Sequence, residues 1–144
     1  MKWAESAIHD LKSYNSYIRS LDNLKERLIM LEKRFESART ASISSAPMHG
    51  GGNRYEDAMI DIIVEKENLK LSIDIENRKV KLIERGLSAL TEEGKYILST
   101  FYISRPKNHI DVICEKLNME KTTVYRVKDA ALRQFTLEEY GIDI

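Results

Sequence analysis

The sequence predicts an all-α protein: a long N-terminal antiparallel helical hairpin, coiled-coil-like, followed by a small C-terminal helix-turn-helix domain. Three observations predict it. Apolar residues recur at three- and four-residue steps over two long stretches, the spacing that gathers side chains on one face of a helix. Charged residues make up 32% of the chain and only two prolines occur, so long solvated helices meet few breakers. In the last third the apolar stripe halts for three residues, Asn118-Met119-Glu120, and then restarts.

The first helix is expected over residues 3 to about 39. Leu11, Tyr14, Ile18, Leu21, Leu24, Leu28, Leu31, Phe35 and Ala38 form its stripe, which shifts by one residue near Leu24. The stretch TASISSAPMHGGGN, residues 40–53, is small, polar and glycine-rich. It buries too little to offset its ordering entropy and is expected to be a flexible linker, long enough to reverse the chain. The second helix is expected from about Arg54 to Arg85, on Tyr55, Met59, Ile62, Leu69, Ile73, Val80, Ile83 and Leu87. Ile60, Ile63, Leu71, Ile75 and Leu82 widen its apolar surface beyond one seam. That surplus calls for a further partner, either the C-terminal part or a second copy in a homodimer. Gly86 reads as a break or C-cap. Residues 1–87 then form the oligomerisation or partner-binding hairpin, and residues 88–144 the helix-turn-helix domain.

In the C-terminal part, Thr91 is placed to N-cap a helix, with Glu92 and Glu93 favourable against its dipole. That helix carries Tyr96, Ile97, Leu98, Phe101 and Tyr102, and Ser104-Arg105-Pro106 ends it, because a residue before proline resists helical geometry. Another helix opens at Asn108 or His109 and runs through Leu117. The last runs from about Lys121 to Phe135, and the EEYGIDI tail is expected to fray.

Two helices joined by a three-residue turn describe a helix-turn-helix unit. Ile113 and Leu117 face its core, and Cys114 is small enough for the helices to cross closely. Asn118 tolerates a left-handed turn, Met119 plugs it, and Val124 and Val127 bury the inner face of the last helix. Lys121, Thr122, Thr123, Tyr125, Arg126, Lys128, Asp129 and Arg133 remain for the outer face. A helix of this kind fits the major groove of double-stranded DNA, its early residues reaching base edges and later basic ones meeting phosphates. Lys107 and His109 at the preceding corner complete the candidate DNA-binding set. The whole chain has a formal net charge of zero, so such a site depends on local segregation of charge.

Other chemistry finds little support. The three histidines, His9, His49 and His109, lack metal-ligand spacing, and the one cysteine excludes an intrachain disulfide and suits a reducing cytosol. HGGGN lacks the lysine and hydroxyl residue of a phosphate loop and no strand precedes it. No acid/base pair accompanies a nucleophile. No catalytic residue, metal or cofactor is therefore expected. Trp3, Tyr14 and Tyr17 are better explained by packing than by stacking on unpaired bases. No apolar run reaches membrane-spanning length and no signal sequence opens the chain, so a cytoplasmic protein with no membrane contact is expected.

Residues 90–135, LTEEGKYILSTFYI…HIDVICEKLNMEKTTVYRVKDAALRQF, resemble region 4 of bacterial sigma factors, which reads the promoter −35 element. TTVYRVKDAAL, residues 122–132, is the most specific part. The whole layout, with its connection SAPMHGGGNRYEDAM, is similar to the sigma-like late-gene regulators of phages and prophages of the ArpU and RinA type. The resemblance implies activation of phage late genes with host RNA polymerase at promoter DNA. It departs from complete sigma factors in having no clear segment for −10 recognition and promoter melting. In the chain, Glu120 stands where serine or threonine usually caps the recognition helix, and Asn118 where glycine is commoner.

The sequence thus points first to a sequence-specific DNA-binding transcription regulator. A DNA-packaging assembly protein, like a phage small terminase subunit, is the alternative, distinguished by a ring of eight or more chains. A protein-binding adaptor without DNA affinity is the third.

Overall fold

A computed structural model describes residues 2–44 and 52–144. They form helices α1 (Lys2–Ser44), α2 (Gly52–Ser88), α3 (Glu92–Leu98), α4 (His109–Leu117) and α5 (Lys121–Tyr140), with a π-helical turn, Ser99–Ile103, following α3 directly. No strand occurs among the described residues, and the fold is all-α. Helix α1 continues to Ser44 and α2 starts at Gly52, so residues 40–44 and 52–53, assigned above to the linker, are helical. The rest of that linker, 45–51, lies outside the described residues.

The chain divides into two compact units, Arg19–Asn77 on one hand and Met1–Ile18 with Arg78–Ile144 on the other. In the first, Leu31, Ile62 and Leu69 are buried against one another, with Leu24, Leu28 and Phe35 packed around them. These belong to the three- and four-residue stripes of α1 and α2, which meet as a seam. The Lys66 ammonium lies 5.3 Å from the centre of the Phe35 ring, so a charged side chain covers the edge of the seam.

In the other unit α1 and α2 again run antiparallel: Lys79 lies over Tyr17 at 5.2 Å, and Glu84, further along α2, acts on Tyr14, earlier in α1. Their ends share a core with α3 and α5, built from Ala7, Leu11, Ile83, Leu98, Leu132 and Phe135. Tyr14 and Tyr17 pack against this core, and the Trp3 ring sits 5.1 Å from that of Tyr140. All three aromatics read above as packing residues are in intramolecular contact.

Two expectations need correction. Gly86 neither breaks nor caps α2; it lies within the helix and is buried, because Phe135 of α5 occupies the space where its side chain would stand. And α5 does not end near Phe135. It runs five residues further, to Tyr140, and stops where Gly141 takes a left-handed conformation (φ 72°) and donates to Leu137 O at 2.7 Å. The extension holds because its side chains are buried: Thr136 and Glu139 are inside, and the Tyr140 hydroxyl donates to the Asp10 carboxylate. An acidic sequence therefore stays helical through contacts with α1.

Candidate nucleic-acid interface

Thr91 caps α3 as its position suggests, accepting from Gly94 N at 3.1 Å. The π-helical turn then shifts the register by one residue and buries Phe101. Phe101 joins Ile97, Ile113 and Val124 in the small core under α4 and α5, with Cys114, Leu117, Met119 and Val127 packed around it.

The corner between α4 and α5 has the expected backbone. Asn118 sits at φ 52°, ψ 51°, the one non-glycine residue with positive φ among those described, and Met119 N donates to Cys114 O at 3.1 Å. Asparagine suits this position because its short polar side chain lowers the penalty of left-handed backbone. Glu120 is extended and contributes no side-chain cap; Val124 N reaches its carbonyl at 3.0 Å to start α5. No acidic residue lies in the first turn of α5, so its amide dipoles are not neutralised from within that turn.

The corner projects α5 with Val124 wholly buried and Lys121, Thr122, Tyr125 and Arg126 exposed; Thr123 is half-buried. Lys107, His109 and Lys121 come together around one shallow depression, with Asn108, Ile110 and Asp111 completing its wall. Within that depression Lys107 is exposed, but His109 is largely buried, its ring edge-on to Phe101 at 5.0 Å. Arg105 Nε approaches His109 Nδ1 at 3.5 Å. Burial first, and then the Arg105 charge, hold the imidazole below the ordinary histidine range, so it is poorly suited to carry a positive charge to phosphate.

Lys128 and Arg133 already have intramolecular partners. The Lys128 ammonium bonds Asp129 at 2.6 Å and lies 5.6 Å from the Phe101 ring centre and 5.8 Å from that of Tyr125. Burial works against its charge, but the Asp129 hydrogen bond and the nearby Tyr102 and Asp129 groups outweigh it and keep the ammonium firmly protonated. Arg133 forms a two-pronged pair with Asp143, at 2.5 and 2.8 Å, outside the cluster formed by the start of α5.

The residue that sequence reasoning missed is Phe101. It contacts His109, Tyr125 (ring centres 5.9 Å apart) and Lys128, and so sets the positions of three candidate residues from below. The sequence places it only among the apolar residues of the helix that follows Thr91; the π-helical turn that aims it at α5 carries no obvious sequence signal. Among the described residues no group of three His, Cys, Asp or Glu side chains gathers as a metal site, and no helix is long and apolar enough to cross a membrane.

The family model described as "Protein of unknown function (DUF1492)" matches residues 37–136. The chain belongs to the DUF1492 family. No curated protein and no solved structure matches it. The DUF1492 match takes in α2, α3, α4 and the first sixteen residues of α5. It therefore includes the Asn118 corner and the exposed residues that follow, while Glu139, Tyr140 and the Arg133 partner Asp143 fall beyond it.

Proposed function

We propose that the protein is a sequence-specific DNA-binding transcription regulator without catalytic activity, whose α5 enters the major groove. The observation that supports this best is the left-handed Asn118 corner, which launches α5 with Lys121, Thr122, Tyr125 and Arg126 outward while Val124 anchors it. Short polar and basic side chains at the start of an outward helix are the chemistry that reads base edges and grips flanking phosphates. In this reading Lys121, Thr122, Tyr125 and Arg126 make the main contacts, with Lys107 and Thr123 at the margin. Lys128 holds Tyr125 in place, and Arg133 is available to phosphate only when it leaves Asp143. The finer reading, a cytoplasmic activator of phage or prophage late genes working with host RNA polymerase, is supported by the resemblance to sigma region 4.

Selection of bound duplexes from a random DNA pool tests the proposal and yields the site in one experiment. Against the selected duplex, Arg126→Ala should lose about 1–3 kcal/mol and relax preference at one position. A failure to enrich any sequence, together with no salt-dependent binding to duplex, would refute DNA recognition.

A further inference from the structure

Tyr125 is the apolar member of an otherwise polar face. Of the exposed residues at the start of α5, Lys121, Thr122 and Arg126 end in hydrogen-bonding groups, and Tyr125 alone presents a ring, 37% exposed. Lys121 and Thr122 precede it by four and three residues, one turn away on the same side of the helix. The ring is held in place. Its centre lies 5.9 Å from that of Phe101, with the planes at 69°, and the Lys128 ammonium is 5.8 Å from it. Phe101 is buried, and the Lys128 side chain is only 17% exposed and bonds Asp129 at 2.6 Å, so both supports are themselves fixed.

What such a ring can meet follows from the chemistry of the major groove. Base edges there present hydrogen-bond donors and acceptors, and the flanking backbone presents charged phosphates. The apolar group on offer is the 5-methyl of thymine. A ring already restrained by packing covers that methyl at little cost in conformational freedom, which is the general advantage of a pre-positioned aromatic contact. We infer that Tyr125 is a specificity-determining residue that reads the 5-methyl group of one thymine in the bound duplex, with Phe101 and Lys128 as the positioning residues that hold its ring. The inference rests on the DNA-binding reading above and adds to it the chemical group that one side chain recognises.

Equilibrium binding of the full chain to the selected duplex, with each thymine replaced in turn by deoxyuridine, tests it. Deoxyuridine keeps every donor and acceptor of thymine and lacks only the methyl group. The wild type should bind about fourfold more weakly when one particular position is replaced, the effect of burying one methyl group. Tyr125→Ala should bind the thymine and deoxyuridine forms of that position equally. Tyr125→Phe should keep the wild-type difference, which separates the ring from its hydroxyl. A selected site without thymine, a wild type indifferent to deoxyuridine at every position, a Tyr125→Ala chain that keeps the full loss, or a Tyr125→Phe chain without it would overturn the inference and leave DNA binding standing. Failure to select any duplex would remove DNA binding itself, and the inference with it.

Discussion

Phe135 lies so close to Gly86 that a Cβ on the glycine would stand 2.6 Å from the ring's Cε2. The ring is wholly buried and has no room to swing away. Gly86→Ala should therefore destabilise the protein, because overpacking costs about 1–3 kcal/mol while the better helix propensity of alanine returns about 1 kcal/mol at most. Urea titration should show a lower midpoint with an unchanged slope. An alanine variant as stable as wild type would mean that the α2–α5 contact is looser than described.

The backbone at Asn118 makes a second prediction. Left-handed geometry penalises a side chain by about 1–2 kcal/mol, and a β-branched residue fares worst. Asn118→Val should lose stability of that order, while Asn118→Gly should be neutral or slightly stabilising. Equal denaturation midpoints for the valine variant and wild type would show that the corner is not left-handed in solution.

Glu139 is buried with its Oε2 unpartnered, and burial, with Asp10 beside it, pushes its carboxyl up to about 9. Arg85 opposes the shift but bonds the Glu138 and Glu139 carbonyls instead of the carboxylate. A carboxyl whose folded pKa is raised binds its proton more tightly in the folded state. Its contribution is fully present below the unfolded value, about 4.3, and is lost as pH rises from there through about 9. Glu139→Gln keeps the neutral shape, so it should be more stable than wild type at pH 8 and close to it at pH 4. Thermal melts across that range measure the crossover; a constant difference between the two proteins would contradict a protonated Glu139.

The Arg133–Asp143 pair leads to a prediction that depends on DNA binding. Both side chains are exposed, and Asp143 is held below the usual carboxylate range by the hydrogen bond from Arg133. Asp143→Asn should release the guanidinium for phosphate. Binding to the selected duplex should then tighten, and its logarithmic salt slope should steepen by about one contact. An unchanged slope would place Arg133 outside the DNA footprint.

Local patterning made much of the fold legible. The stripes through Leu31 and Ile62, the Thr91 cap and the Asn118 turn are each set within a few residues by helical period or backbone preference, and each appears where the sequence suggests. The candidate site was legible only as a face. Period alone could not tell that His109 turns inward onto Phe101 or that Lys128 is held by Asp129 and two rings, because those outcomes depend on a π-helical turn and on packing across helices.

What the sequence determined by itself was the helical character of the chain and the corner before Lys121, since both follow from interactions within a turn or two of each residue. Tertiary structure alone decided that Gly86 is a contact for Phe135, that α5 continues to Tyr140 on the support of Trp3 and Asp10, and that one apolar face of α2 stays exposed. The physical reason is common to all three: burial is settled by partners distant along the chain, and an apolar or acidic residue carries no local mark of whether such a partner will arrive.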